Sequence, residues 1–233
     1  MAGSPAPGCD LHSTGRVSRR RWLCGCAGAV LLPAIATAED AVGGIKAAYR
    51  RYVAALTARD GAAAATMVTA ASLEREERLR ELALTAAAET VAALPPADRL
   101  AVLRLRHEFT AAELAPLDGA DLVRIAVEEA WTSPKPLAVL TVTGVEQDGA
   151  VATLRVERGG EPVPVRLVLG REAGRWKLDL VELARGSDAA LARTIAFRAE
   201  RAKVPAEEVL RWIVEDSSGH LVDKDLSRPL QGG

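Results

Sequence analysis

The fold class is decided by residues 137–183, LAVLTVTGVEQDGAVATLRVERGGEPVPVRLVLGREAGRWKLDLVEL. Four runs within this stretch are rich in β-branched residues and partly alternate apolar with polar positions, as half-buried strands do. The runs are 137–145, 151–157, 163–169 and 176–183. The connectors between them are short, and short connectors join antiparallel neighbours because parallel pairing needs a long crossover. We therefore predict a four-stranded antiparallel meander, whose third strand starts irregularly or lies at an edge because of Pro162 and Pro164.

The residues ahead of the strands have the periodicity of helices. Over 41–58, apolar side chains recur at three- and four-residue spacing and so share one face. Ser72 is expected to cap a helix over 73–94, whose charged residues between 74 and 80 are most simply a solvated face with spaced ion pairs. Pro95-Pro96 should end that helix and open the next one. Further helices are predicted at 63–68, 97–109 and 122–131.

Two more helices are predicted after the strands. Ser187 is expected to cap a helix over 188–203. Pro205 is expected to set the first turn of another helix, over 206–215. This order predicts an α+β fold, in which N-terminal helices pack on a curved four-stranded antiparallel meander and the C-terminal helices are additional. The polar segment 220–233 is expected to be a flexible tail.

The N-terminus resembles a twin-arginine signal peptide. Residues 18–23, SRRRWL, place Arg19 and Arg20 between a serine and an apolar pair, as the twin-arginine pattern does. The apolar stretch over 23–35 has the length of a signal-peptide core and is too short to span a membrane. Ala36-Thr37-Ala38 then offers a small-x-small site, so we expect signal peptidase to cut after Ala38.

This resemblance implies that the twin-arginine translocase and signal peptidase act on residues 1–38, and that the mature protein is periplasmic or secreted. A lipobox is the alternative interpretation, because Leu23-Cys24-Gly25-Cys26 has the right residues for lipid attachment to Cys26. In a lipoprotein signal the cysteine follows the apolar segment, whereas Cys26 lies near the start of that segment. The order of the parts therefore favours the twin-arginine interpretation.

Removal of the leader would change both the charge and the chemistry of the chain. Residues 1–38 contain four arginines and one aspartate, a net charge of +3, so the whole-chain net charge of −1 leaves −4 on the mature protein. We expect such a mildly acidic protein to bind no nucleic acid. All three cysteines lie in the leader, which excludes a disulfide, a cysteine nucleophile and a cysteine-ligated metal from the mature protein. We also expect no transmembrane segment in it.

Two segments resemble nuclear-transport-factor-2-like domains. Residues 52–63, YVAALTARDGAA, look like the opening of such a domain, and residues 174–180, GRWKLDL, look like its closing strand. The resemblance covers about 41–183 and implies a cone whose curved sheet and helices enclose a cavity. It implies a domain over 39–186 and a C-terminal helical extension over 187–219, which departs from the family. Members include isomerases, dehydratases, cyclases and binding modules, so the fold alone does not choose an activity.

Five residues are candidates for a site in such a cavity. Tyr49 and Tyr52 lie three positions apart on the first helix, so both can face the sheet. A tyrosine hydroxyl in an apolar cavity can donate to an oxyanion, and a nearby carboxylate can move protons. Asp179 on the last predicted strand is the best carboxylate, although it shares a strand face with Lys177, which favours a solvated position. Trp131 and Trp176 are candidates for lining the pocket, or for plain core.

Motifs for metals and cofactors were not found. His107 and His220, the histidines of the mature chain, are isolated and lack the paired spacing of a histidine-built metal site. The glycine pair at 159–160 lies in a predicted hairpin and not at a strand-to-helix turn, where phosphate loops occur. We therefore predict no metal and no cofactor.

Three functions remain open, and they differ in what they require of the structure. The leading hypothesis is non-enzymatic binding of a small apolar ligand or a protein partner, which requires only an apolar pocket. An isomerase or dehydratase requires a tyrosine and a carboxylate within hydrogen-bond reach in that pocket. An envelope docking protein that acts through its C-terminal helices requires an exposed apolar stripe over 206–214.

Overall fold

The computed structural model of the protein describes residues 38–231. Within them the helices are α1 (Ala38–Ala58), α2 (Gly61–Thr66), α3 (Ala70–Thr85), α4 (Ala88–Ala92), α5 (Pro96–Glu108), α6 (Ala111–Leu114), α7 (Gly119–Glu128), α8 (Lys135–Ala138), α9 (Leu180–Ala202) and α10 (Ala206–Ser218). The strands are β1 (Thr141–Asp148), β2 (Val151–Arg158), β3 (Glu161–Pro162), β4 (Leu167–Glu172) and β5 (Arg175–Leu178). The α+β prediction is confirmed.

The strands form one antiparallel sheet in the order β1-β2-β4-β5, with the short β3 paired to β2. This meander confirms the antiparallel prediction. The third predicted run is interrupted, because residues 163–166 between β3 and β4 have no regular structure. Pro164 lacks a backbone N–H to donate to a neighbouring strand, which accounts for the gap.

The last predicted strand is too long. Strand β5 ends at Leu178, and Asp179 is the N-cap of α9. Its Oδ1 accepts hydrogen bonds from the backbone N–H groups of Val181 and Glu182, at 2.9 and 3.1 Å. Helix α9 therefore begins at Leu180 rather than at residue 188, and Ser187 lies inside it instead of capping it.

The charged helix is also shorter than predicted. Thr69, and not Ser72, is its N-cap, and α3 ends at Thr85, before the separate helix α4. Ser72 lies in the first turn of α3, where its Oγ accepts a hydrogen bond from the backbone N–H of Leu180 at 2.8 Å. A single hydroxyl therefore ties the start of α3 to the start of α9.

The space between the first helix and the sheet is filled by side chains. Helix α1 buries one face against the sheet, as its periodicity predicted, through Ile45, Tyr49, Tyr52 and Leu56. The sheet contributes its own buried residues, Ala152, Leu154, Val156, Leu167, Leu169 and Leu178. A second core joins α3, α5, α6 and α7 through Leu79, Val102, Leu105, Leu114 and Leu122. The two cores meet along α7.

The C-terminal helices pack onto the rest of the fold. Val209, Leu210 and Val214 of α10 are buried, so the apolar stripe expected over 206–214 is not exposed. Among the helices of residues 38–231, none has the length and apolar character needed to cross a membrane.

The segment after α10 differs from the flexible tail that we expected. Val222 and Leu226 are buried, and Leu226 and Ser227 accept hydrogen bonds through their carbonyl oxygens from the guanidinium of Arg106. Farther along, the N–H of Leu230 donates to a carbonyl oxygen of α3. Residues 220–231 thus form an anchored strap, the name used for them below.

The leader prediction is not tested by this structure. Arg19 and Arg20 lie outside the described residues, and Ala38, the expected cleavage residue, is the first residue of α1.

Candidate functional site

A cavity of about 420 Å³ lies among the helices. Its walls come from α1, α3, α5, α7 and α9, together with the turn at 131–133, and the lining includes no residue of β1–β5. The apolar lining includes Leu100, Leu105, Leu122, Leu180, Leu183 and Leu191. This inter-helical cavity therefore differs from the cavity between sheet and helices that the family resemblance implies.

The α9 wall of the cavity was not predicted from the sequence, although the spacing of its residues indicates a helix face. Leu180, Leu183, Ser187 and Leu191 recur every three or four residues, which is the period of a helix face. The alternation of the preceding residues extends the predicted strand over Leu180 and Leu183, because helix and strand are hard to separate in a short apolar run.

Two of the four predicted lining residues face this cavity. Tyr52 of α1 and Trp131 after α7 both line it. Tyr49 lies elsewhere, in the core under the sheet, where its hydroxyl donates to the carbonyl oxygen of Leu137 at 2.9 Å. Burial raises the pKa of Tyr49 to about 12, so this hydroxyl stays protonated and acts as a structural donor.

Trp176 and Asp179 also lie away from the cavity lining. Trp176 on β5 is half-buried and packs against the core under the sheet, where its ring faces Gly44 of α1. The carboxylate of Asp179 caps α9, as described above. The predicted combination of a cavity tyrosine with Asp179 is therefore not assembled.

A buried charged cluster that the sequence reasoning missed lies at the Tyr52 end of the cavity. Arg75 and Glu76 line the cavity and were expected to be solvated, yet their side chains are only 10% and 18% exposed. Arg75 Nε donates to Asp98 Oδ1 at 2.9 Å, and Arg75 Nη1 donates to Glu76 Oε1 at 2.5 Å. Arg78 Nη2 reaches the other Asp98 oxygen at 3.3 Å. Tertiary packing of α3 against α5, which no local pattern reveals, buries this cluster.

Tyr52 and Glu76 bring a hydroxyl and a carboxyl to the same end of the cavity. Burial raises the pKa of Glu76, and the guanidinium of Arg75 partly opposes that effect. Burial also raises the pKa of Tyr52, and the nearby negative charge of Glu76 adds to the increase. Among the described residues no hydrogen bond joins the two side chains. The pair can supply a neutral hydroxyl donor and a carboxyl group to a bound molecule.

Arg104 and Trp131 form a different polar region of the same cavity. The guanidinium carbon of Arg104 lies 5.7 Å from the centre of the Trp131 ring, within range of a cation–π interaction. Arg104 also donates to the Trp131 carbonyl oxygen at 3.3 Å and to the Ser217 hydroxyl. Phe109 packs edge-on against Trp131, with the ring centres 6.0 Å apart. This packing holds the indole beside the cavity.

The two histidines of the described residues both lie next to Ser218, whose hydroxyl also bonds to the backbone of His220. His107 is half-buried with Nε2 3.1 Å from the Ser218 hydroxyl, and His220 is exposed. Within residues 38–231, no three side chains of the histidine, cysteine, aspartate and glutamate types are grouped closely enough to hold a metal ion.

Comparisons with protein-family models, curated proteins and solved structures give no match for this chain.

Proposed function

We propose that the mature protein binds a small, mainly apolar ligand in the inter-helical cavity, without transforming it, in the periplasm after twin-arginine export. The observation that carries this proposal is the cavity itself. Its volume of about 420 Å³ falls within the range of about 300–1,000 Å³ that is usual for small-molecule sites. Leucine and alanine dominate its walls, and a few charged and hydroxyl groups are confined to distinct regions.

The position of the cavity between secondary-structure elements also favours ligand binding. The core under the sheet is closely filled, whereas the five helices leave a gap beside it. A solvent-filled gap with apolar walls is unfavourable, and an apolar ligand would remove those walls from water. Such a ligand stabilises the folded state by mass action.

The ligand-binding proposal is tested by filling the cavity. Ala184 on α9 lines the cavity, while Ala192 on the same helix is exposed. Ala184→Phe should abolish binding because the ring occupies the ligand's space, and Ala192→Phe is the matched control. Native mass spectrometry of protein prepared from its own periplasm should show a bound small molecule in the wild type and in Ala192→Phe only. Equal retention by both variants, or none by the wild type, would contradict the proposal.

The export proposal rests on the leader and is tested separately. Replacement of both Arg19 and Arg20 by lysine should leave full-length precursor in the cytoplasm, because the translocase recognises the arginine pair. Fractionation followed by immunoblotting measures this, with Arg16→Lys as the control outside the pair. N-terminal sequencing of the exported form should begin at Glu39. Fatty-acid labelling of the mature protein would instead favour the lipobox interpretation.

A proton-transferring enzyme is the second candidate, and the Tyr52–Glu76 pair favours it. An isomerase or dehydratase needs a hydroxyl donor and a carboxyl group in one cavity. Under this candidate function Glu76 supplies the carboxyl group that the sequence predicts at Asp179. Solvent deuterium exchange into a panel of cyclic ketones, followed by mass spectrometry, tests this candidate. Exchange that is lost in both Tyr52→Phe and Glu76→Gln would establish the enzyme, and its absence in the wild type leaves the binding function.

Docking through the C-terminal helices has less support. The stripe over 206–214 that would contact a partner is packed against α9 and α5 instead.

A further inference from the structure

We propose that the ligand is an amphiphile with a carboxylate head group, which the guanidinium of Arg104 binds beside Trp131. This inference rests on the ligand-binding function proposed above and specifies the chemical class of its ligand. It is carried by the distribution of charge around the cavity.

The two arginines that line the cavity have different partners. Arg75 is neutralised by Asp98 and Glu76, which lie within ion-pair distance of it. Arg104 has no carboxylate within ion-pair distance among the described residues. Its hydrogen-bond acceptors are the neutral Trp131 carbonyl and Ser217 hydroxyl. Arg104 therefore brings a positive charge to the cavity that no ion pair offsets.

The guanidinium of Arg104 also has donor capacity left. Its Nε is buried, and no hydrogen-bond acceptor reaches it in the part of the chain that the structure describes. Because this buried N–H is out of the reach of a ligand in the cavity, the donors left for a carboxylate are the second N–H groups of Nη1 and Nη2, beyond those given to the Trp131 carbonyl and the Ser217 hydroxyl. A carboxylate matches the planar fork of arginine, because its two oxygens accept two parallel N–H groups.

Among the described residues, Glu108 is the acidic group whose charge acts on Arg104 from nearby. It lies one helical turn farther along α5, and its Oε1 is itself buried without a hydrogen-bond partner. Glu108 does not line the cavity. It lowers the positive potential at Arg104 and so weakens binding of an anion, which makes its removal a second test of the same inference.

The opposite region of the cavity fixes the orientation of such a ligand. Asp98 and Arg104 are six residues apart on α5, which corresponds to about 9 Å along the helix. There Arg75 and Arg78 are already paired with Glu76 and Asp98, so that region offers no unpaired positive charge to an anionic head group. The leucines of α9 that line the cavity run from Leu180 to Leu191, about 16 Å of helix. An alkyl chain of medium length fits along this wall with its head at Arg104.

Isothermal titration of the mature protein with decanoate, 1-decanol and decylamine tests the inference. Wild-type protein should bind decanoate about tenfold more tightly than decanol, and decylamine more weakly than either. Arg104→Met should remove the preference for decanoate over decanol. Arg99→Met is the matched control, because Arg99 lies on the same helix outside the cavity and pairs with Glu207.

The outcomes separate this inference from the function on which it rests. Equal binding of decanoate and decanol, or a preference for decylamine, would contradict the proposal of a carboxylate head group. Neither result would contradict the proposal that the cavity binds an apolar ligand. Binding of none of the three overturns both. If Arg104→Met fails to fold, Glu108→Gln replaces it and should tighten decanoate but not decanol. Unchanged decanoate affinity in Glu108→Gln would then count against the inference.

Discussion

Arg106 shows how much one buried side chain contributes to this fold. It is only 1% exposed, and its guanidinium donates to carbonyl oxygens of Leu82, Ala83 and Ala86 at the end of α3. It also donates to two carbonyl oxygens of the strap. A positive charge at a helix C-terminus is favourable because the last carbonyl groups have no partners within the helix. This side chain therefore pairs with the carbonyl groups at the end of α3 and joins them to the strap.

Arg106→Lys should lower the free energy of unfolding by about 2–4 kcal/mol, because an ammonium cannot reach all five carbonyl oxygens and leaves some unpaired. Urea denaturation followed by circular dichroism measures the loss. Arg193→Lys on the exposed part of α9 is the control and should change stability by less than about 0.5 kcal/mol. A loss for Arg106→Lys no larger than that of the control would contradict this account.

Glu76 makes stability depend on pH in a defined direction. Its pKa in the folded state is raised above the ordinary value of 4.5, so the folded protein holds this proton more tightly than the unfolded chain. The stabilisation from that proton is complete below about pH 4.5 and is lost as the pH rises through the raised pKa. The glutamine of Glu76→Gln has no such proton to lose. The free energy of unfolding of this variant, relative to that of the wild type, should therefore increase as the pH rises from about 4.5 through the raised pKa of Glu76.

Thermal unfolding of wild type and Glu76→Gln at a series of pH values measures the effect. Glu74→Gln, an exposed neighbour on the same helix, is the control, and its stability should follow that of the wild type throughout. Parallel curves for wild type and Glu76→Gln would show that the Glu76 pKa is not raised.

At the scale of the elements, two close backbone contacts determine the position of α7 relative to α3 and α2. Gly119 starts α7, and a Cβ added there would overlap the backbone carbonyl of Leu73 on α3. Gly61 at the start of α2 is constrained in the same way by the backbone of Arg124 on α7. Both glycines therefore permit backbone approaches that no larger residue allows.

Gly119→Ala should destabilise the protein by about 1–3 kcal/mol, although alanine is the better helix former, because the helices would have to separate. Gly43→Ala in α1 is the matched control, since a Cβ there meets nothing within 4 Å. It should stabilise the protein by about 0.5–1 kcal/mol. Opposite signs in denaturant unfolding support this account, and a stabilising Gly119→Ala would contradict it.

Helix termini show which elements were predictable. Thr110 is followed three positions later by Glu113, a pattern that indicates a capping box, and the structure contains that capping box. Both partners lie within four residues of each other, so the pattern is local. Ser72 has the right residue type for a cap, yet its hydroxyl accepts from α9, more than a hundred residues away in sequence. Local patterns predict local hydrogen bonds, whereas a side chain with a distant partner cannot be assigned from its neighbours.

At the scale of the whole molecule, the strap links the end of the chain to the cavity wall. Leu226 packs with Val214 and Val222 against Leu100 and Leu103 of α5, and Leu100 also lines the cavity. The C-terminal segment therefore supports the same helix that carries Arg104 and Arg106.

Leu226→Ala should lower the free energy of unfolding by about 2–4 kcal/mol, the usual cost of truncating a buried leucine. Leu221→Ala in the same segment removes a side chain that is 81% exposed and should have almost no effect. Chemical denaturation of the two variants compares them directly. Similar losses would show that the strap is not packed in solution.

The sequence by itself determined the α+β class, the helices with strong periodicity and the antiparallel meander, because these depend on residues close together in the chain. Of the four side chains that the sequence offers as candidates for lining a pocket, Tyr52 and Trp131 line the inter-helical cavity, and Tyr49 and Trp176 do not. Only the tertiary structure decided that the cavity lies among helices, that Glu76 and not Asp179 lines it together with Tyr52, and that Arg104 lines it without an ion pair among the described residues. These features arise where α3, α5, α7 and α9 meet, and burial of a charge depends on which distant surfaces cover it.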